Sequence, residues 1–469
     1  MTILERSPAE ERLLDAALVQ VMVGHAAGSR PVPHRRHGYL AAAVLALAAV
    51  VGTQWLAGRN DRVPAVQDQE PVPETLPKAV IAHDVDALAT LSVDLQNLVC
   101  ELRSPAELEQ LRRFQALRRL VLRNDPPPLG GAGPSGPRFW LDPKPEALAP
   151  LATLPELREL HWPRAMRVQG KHIEALAPAP QLRSLVLPEQ TRCGDDLVPA
   201  LAKLSRLESL RLESLLVPAP LLAALATLPL RRLEFIACAG LDDNAFRSLQ
   251  AMRSLVALAI THQNGGSLQV DGVIHGKGPL TASSFAAIAA LPALRELDLE
   301  ESELRDELLQ ELPARLHWLN LGSRHVDFAV ASGLRRLGEL RDLAVGAGVG
   351  TEAAERMVDV LGTLHLTRLE YRGVLTADLL AAIARQPDLT TLAIQLFGNA
   401  DLTPLADAPK LRSIEVLSTY RYKPSIEDLA PLARCRHLRS LRLVDCALDV
   451  EAVRAVVGEA VVVEVETLR

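Results

Sequence analysis

One short pattern returns along this chain and limits what it can become. In Leu294-Arg295-Glu296-Leu297-Asp298-Leu299, leucines hold the first, fourth and sixth positions. Units of the form L-x-x-L-x-apolar begin at Leu117, Leu157, Leu182, Leu207, Leu230, Leu255, Leu294, Leu316, Leu340, Leu366, Leu389, Leu411 and Leu438. Leu95-Gln96-Asn97-Leu98-Val99-Cys100 reads as a degenerate unit ahead of them. Most steps are 22 to 27 residues, and those from 117 to 157 and from 255 to 294 are longer. The period-two end of each unit predicts a short strand with its leucines turned inward. No single unit can bury its own leucines, so neighbours must stack and share one core.

Between the strands the sequence predicts helices over Asp196–Leu204, Ala219–Leu228, Asn244–Met252, Ser283–Leu291, Glu352–Leu361 and Ala377–Arg385. Asp243, Thr281, Thr351 and Thr376 stand where N-caps belong. Pro155, Pro229, Pro292, Pro387 and Pro409 end the helical stretches before the next strand. At the front end Ser104-Pro105-Ala106-Glu107 opens a helix reaching about Phe114. At the back, Val461–Val465 reads as a last strand, with Glu464 and Glu466 discouraging further pairing.

On these residues, roughly 90 to 465 resemble the leucine-rich repeat family, in its bacterial and ribonuclease-inhibitor-like forms. The resemblance implies an α/β solenoid with a curved parallel sheet on the concave side and helices on the convex side. It also implies protein recognition as the usual role. The family places Asn or Cys three residues after the last strand leucine, bonding neighbouring backbones. Cys238 and Cys446 fit, but Gln190, Gln263, Ser302, Thr419, Ala165 and Val374 also stand there, so the ladder is broken.

Composition narrows the remaining classes. Hydrophobic residues make up 48% and aromatics only 3%, so the core must be filled by Leu, Ala and Val. A net charge of −6 gives no global basic signature for nucleic acid. The five cysteines are odd in number, widely spaced and without C-x-x-C, which argues against a disulfide framework or structural zinc. Arg far outnumbers Lys, which fits a bacterial source.

Ahead of the repeats the chain divides into three segments. Residues 1–38 are read as cytoplasmic. Within them, 1–23 form one amphipathic helix, lying on a surface or docking a cytoplasmic partner. Residues 39–57 carry no charge; nineteen helical residues span roughly 28 Å, enough to cross a bilayer. Arg30, Arg35 and Arg36 precede the stretch, while Arg59 and Arg62 follow it, favouring the N-terminus inside. A single-pass anchor is the preferred reading; a cleaved signal peptide and a buried core helix are the alternatives. Residues 58–78 are a Pro-rich spacer, and 79–469 are the repeat domain.

The side chain between the last two core positions of each strand is expected on the concave face. That row is Val121, His161, Val186, Arg211, Glu234, Ala259, Asp298, Asn320, Ala344, Glu370, Ala393, Glu415 and Arg442. Glu296, Asp298 and Glu300 form an acidic patch at its middle. Two insertions, Asp125–Glu146 and His262–Thr281, follow strands and should project from one rim. Phe139 and Trp140 in the first, with Tyr420 and Tyr422 in a smaller loop, are loop aromatics suited to contacts. The candidate protein-binding residues are therefore Phe139, Trp140, His161, Arg211, Glu296, Asp298, Glu300, Tyr420 and Tyr422. Arg recurs after the first leucine at Arg118, Arg158, Arg183, Arg231, Arg295, Arg341, Arg412 and Arg439. It either attracts an acidic partner or covers strand edges with its stem.

No nucleophile motif, phosphate loop or metal spacing occurs, and His262, Asp271 and His275 match no ligand pattern. The expectation is a membrane-anchored protein, its repeats outside the cytoplasm in a bacterial envelope, binding another protein through concave face and rim loops. It needs no cofactor, metal, nucleic acid or small-molecule substrate. A cytoplasmic regulatory or effector-type repeat protein is the alternative, and an enzyme with a rim-loop site a remote third.

Overall fold

Each leucine unit supplies one strand, and the strands stack in the order in which the chain makes them. The computed structural model describes residues 79–82, 85–101, 105–123, 144–162, 166–188, 191, 196–261, 267–270, 273–276, 280–300, 306–322, 328–346, 351–398, 400–419 and 422–466. The amphipathic 1–23 segment, the apolar 39–57 stretch and the 58–78 spacer lie outside them. Among the described residues no helix is long and apolar enough to cross a membrane.

The strands of the first half are β1 (Val80–Ala82), β2 (Asn97–Glu101), β3 (Arg119–Arg123), β4 (Glu159–His161), β5 (Ser184–Leu187), β6 (Ser209–Glu213), β7 (Arg232–Ile236) and β8 (Ala257–Thr261). A hairpin follows, β9 (Ser267–Val270) and β10 (Val273–Gly276). The second half holds β11 (Glu296–Asp298), β12 (Trp318–Asn320), β13 (Asp342–Gly346), β14 (Arg368–Arg372), β15 (Thr391–Gln395), β16 (Ser413–Leu417), β17 (Ser440–Val444) and β18 (Val462–Glu466). Sixteen of these form one sheet in chain order, with β8 paired directly to β11; β9 and β10 pair only with each other. Every pairing in the large sheet is parallel, whereas the hairpin is antiparallel.

Thirteen of the sixteen are the leucine units. The degenerate unit is β2, and the terminal valine run is β18. The sequence reading did not contain β1, which has no leucine unit, nor the hairpin inside the second insertion.

Register puts the leucines in continuous rows. The row beginning Leu98, Leu120, Leu160 and Leu185 runs on to Leu392, Ile414 and Leu441. Each of these is fully buried. The few aromatics that are fully buried, Phe114, Phe235, Phe246, Phe285 and Tyr371, fill the wider gaps. Helices return the chain behind the sheet, among them Ala219–Leu225, Asp243–Leu249, Ala282–Ala289, Thr351–Leu361 and Ala377–Ala384. Several end about a turn earlier than the periodicity suggests. Leu228 and Met252 still reach the core, because tight turns carry them there through Leu228 N–H to Leu225 O (3.0 Å) and Met252 N–H to Leu249 O (2.8 Å). Two coils use 3-10 turns here, Thr403–Asp407 and Ala430–Arg434, the second continuing the short α-helix Ile426–Leu429.

Of the four expected caps Thr281 and Thr376 hold, whereas Thr351 is the first residue of its helix, Thr351–Leu361. Thr281 and Thr376 accept from the third helical amides, Ser284 N and Leu379 N. Asp242, not Asp243, caps the last helix before the hairpin, accepting from Asn244 N and Ala245 N. Asp243 instead takes the Thr281 and Ser284 hydroxyls of the following coil. Cys238 Sγ donates to Leu212 O of the preceding coil at 3.3 Å, and Cys446 Sγ approaches Val416 O at 3.9 Å. Both thus link neighbouring backbones. Gly333 is needed where two coils press together: a Cβ there would lie 2.9 Å from Leu309 Cβ.

Because each leucine is shared by its neighbours, truncation in the middle should loosen several coils. Leu319→Ala removes a fully buried side chain. It should cost about 2 to 5 kcal/mol, read as a lower urea midpoint, whereas Leu319→Met should change it little. An unchanged midpoint for Leu319→Ala would contradict the shared core.

Candidate binding face of the sheet

Among the described residues the sheet has one face against the helices and one face without them. Its central row is the one the sequence lays out. From Val121 through His161, Arg211, Asp298 and Glu415 to Arg442, successive residues are direct Cα partners. Val99 and Ile81 extend it at one end and Glu464 at the other. Glu296 stands in the neighbouring row, two residues before Asp298, and Glu300 lies two residues beyond it.

The charges on this face are tied across coils. On β3 and β4, Arg119 Nε meets Glu159 Oε1 at 3.0 Å, and His161 Nε2 meets the same oxygen at 2.6 Å. Burial pushes the Glu159 carboxyl up, but His161 and Arg119 together outweigh it and hold it below the usual carboxylate range. Farther along, Arg211 pairs with Glu213 (2.8 Å) and Glu234 (3.8 Å). Arg232 in turn reaches Glu234 (3.7 Å) and Glu296 (2.8 Å). The Arg232 side chain crosses β8 to do so. This is possible because β8 presents only Ala257 and Ala259 beside it.

A second arginine approaches β11 from the other side. Arg372 of β14 pairs with Glu370 (2.6 Å) and with Glu300 (3.1 Å). Between them β13 offers Ala344 and Gly346. Gly322 sits at φ +59°, and a Cβ there would lie 2.7 Å from Glu300 Cγ. Only glycine leaves Glu300 its place, and Asn320 Nδ2 donates to that carboxylate at 3.3 Å. Burial would lower the Arg372 guanidinium, but Glu370 and Glu300 more than compensate and raise it.

The acidic patch expected at Glu296, Asp298 and Glu300 is therefore not a bare acidic surface. Glu296 and Glu300 are each 7% exposed and lie under arginines. Burial dominates at Glu296 and pushes its carboxyl up, against the pull of Arg232. Asp298 is half-buried and accepts the Glu300 N–H at 3.0 Å. Asp342 on β13 is also buried and shifted upward for that reason, although Thr367 Oγ1 donates to it at 2.7 Å.

Trp318 was missed by the sequence reading. It is half-buried on β12, with Glu296 and Asp342 as its direct partners on either side. Its signal was present: an aromatic at a strand position that the other leucine units fill with small, polar or charged residues. Tyr422 needs correction in the opposite sense. It packs on the core, and its hydroxyl donates to Asp428 at 2.6 Å, so it fastens its own loop. Burial and Asp428 push its hydroxyl up to about 12. Phe139, Trp140 and Tyr420 lie outside the described residues, as do His262 and Asp271. Among the described residues no group of three or more His, Cys, Asp or Glu is placed to hold a metal ion.

No family model and no curated protein matches this sequence. Among solved structures, an internalin of Listeria monocytogenes matches with a TM-score of 0.34 and 18% identity, over 69% of this chain and 80% of its own. A leucine-rich-repeat protein of Leptospira interrogans matches with a TM-score of 0.34 and 14% identity, over 81% of this chain and 97% of its own. Scores at this level carry no functional argument. The repeat architecture rests on strand order and leucine register.

Asp342 gives this face a pH signature. Its folded pKa lies above its unfolded one, so its contribution is fully present below the ordinary aspartate range and is lost as pH rises through the raised value. Asp342→Asn, which keeps an acceptor for Thr367, should be more stable than wild type near neutrality and equal to it at acid pH. Urea midpoints across that range check this, and an Asn variant weaker at pH 7 would contradict it.

Proposed function

We propose that this chain is a membrane-anchored repeat protein that docks another protein on the helix-free face of its sheet. The observation that carries the reading is the set of bridged charges on this face, in three groups over β3–β4, β6–β14 and β16–β18. Arg232 and Arg372 fix Glu296 and Glu300 in place, so the face is ordered before any partner arrives. Such preorganisation lowers the entropy cost of association. Trp318 and Asp298 lie within the middle group, and a half-buried tryptophan is the residue type most enriched at binding hot spots. The more exposed of these pairs add little stability, and the buried Arg372–Glu300 pair must offset its own desolvation. They do supply a fixed pattern for a complementary surface.

The tether belongs to the same reading. The uncharged 39–57 stretch, the arginines ahead of it and the Pro-rich 58–78 spacer support a single-pass anchor with the repeats outside the cytoplasm.

Two measurements test it. A photo-crosslinking residue at Trp318 should capture one protein in cells, while the same residue at exposed Glu355 on the helical side should not. Trp318→Ala or Arg211→Glu should reduce copurification of that protein at least tenfold. Equal capture from both sides would end the reading of this face. Separately, a reporter active only outside the cytoplasm, fused after Arg469, should be active; silence would remove the anchor without touching the docking face.

A further inference from the structure

The arginines that follow the first leucine of many units do two different things. Most are held. Arg183 pairs with Glu208 at 2.7 Å. Arg295 Nη1 donates to Leu294 O at 3.0 Å and Arg341 Nη1 to His365 O at 3.2 Å. Arg118, Arg158 and Arg231 are engaged as well. These six are spent on contacts within the chain.

Arg412 and Arg439 behave otherwise. They are consecutive along the rim where the strands start, and Arg439 N–H donates to Arg412 O at 2.7 Å. Both side chains are exposed, and among the described residues neither has a hydrogen bond or ion pair. The turn that leads into β17 adds exposed Arg436 and His437 three and two residues before Arg439. The carboxylates of the adjoining turns leave this charge standing. Asp388 is paired with Lys410 at 2.7 Å, and exposed Asp407, five residues before Arg412, is outnumbered by Arg412, Arg434, Arg436 and Arg439. Glu459 lies one turn beyond, before β18. In a chain of net charge −6, this is a local concentration of uncompensated positive charge.

We propose that Arg412, Arg436 and Arg439 form a docking patch for an acidic segment of a protein partner, at the strand-start rim of the C-terminal coils. Guanidinium forks suit carboxylates, which they can bind through two parallel hydrogen bonds. Adjacent strands set the two strand arginines about 4.8 Å apart at the backbone. Carboxylates on one side of an extended segment repeat at roughly 6.6 Å, a gap that the flexible stems span. A narrow segment meets fewer of the carboxylates of the adjoining turns, Asp388, Asp407 and Glu459, than a wide surface does. A flat anionic bilayer would press against those same carboxylates, which makes a membrane the poorer occupant. This surface is separate from the helix-free face and goes beyond the reading given above.

The test uses the full chain in detergent micelles, with a fluorescent deca-glutamate peptide as probe and phosphatidylglycerol vesicles in parallel. Peptide binding should be seen at low salt and weaken steeply as salt rises. Arg412→Glu/Arg436→Glu/Arg439→Glu should weaken it at least tenfold, and the triple Gln variant should fall between. Arg253→Glu, an exposed arginine at the same rim of a distant coil, and Trp318→Ala should leave it unchanged. Circular dichroism and the thermal midpoint establish that the variants fold. Undiminished binding by the folded triple Glu variant would overturn the proposal, as would no peptide binding by wild type. So would loss of binding in Trp318→Ala, or binding of vesicles in place of peptide.

Discussion

A coil of this protein cannot close its own interior, and everything else follows from that. Each strand brings two or three aliphatic side chains, too few to exclude water alone. Only the coil before and the coil after complete the enclosure. The requirement is strict about register. A one-residue slip would turn Leu297 or Leu319 outward and put Asp298 or Asn320 into the core. The unbroken pairing of aliphatic residues along the sheet, leucine in nearly every strand, is therefore what stacking demands. It also explains why so few aromatics suffice: a coil of fixed pitch leaves a narrow interior that Leu, Ala and Val can fill.

That same register builds the helix-free face. Residues flanking an inward leucine must point outward, so each coil contributes a side chain to each column at a fixed height. Long side chains in one column then meet those of neighbouring coils. Where every strand carries a bulky residue, contacts stay between immediate neighbours, as in Arg119 with Glu159. Where alanine or glycine intervenes, an arginine reaches farther. Ala257 and Ala259 let Arg232 cross to Glu296, while Gly346 and Gly322 clear the way from Arg372 to Glu300. The small residues gain meaning only through the arginines that lie near them.

The legible part of the structure is the periodic part. Strand positions, the inward rows and the outward central row could all be read from the leucines, because a period of two leaves a side chain only two choices of direction. What escaped reading lies off the period. The strand Val80–Ala82 is three residues long and lacks a leucine unit. The hairpin carried a turn signal, Asp271-Gly272 between two apolar alternations, but a repeat template has no place for it. The pairing of Glu300 with Arg372 joins residues 72 apart and depends on what three intervening positions omit. Tyr422 looked like a loop aromatic because sequence does not show that Asp428, one turn on, faces its hydroxyl. Asp242 and Asp243 are chemically equal as caps; only the backbone at Asp242, extended at φ −88° and ψ 176°, decides between them.

Periodic and aperiodic residues therefore divide the work. The residues that repeat make coils interchangeable, and an interchangeable surface cannot distinguish partners. Departures from the repeat are concentrated from β8 to β14, with the alanine pair, the acidic strand, and then Trp318 together with Gly322 in successive coils. A second departure lies in the turn before β17, where the rim arginines lose their partners and gain basic neighbours. Recognition requires such irregularity, since specificity is a difference between surfaces. In this chain the fold is secured by positions that obey the pattern. That leaves the positions that break it open to answer to whatever the surface must meet.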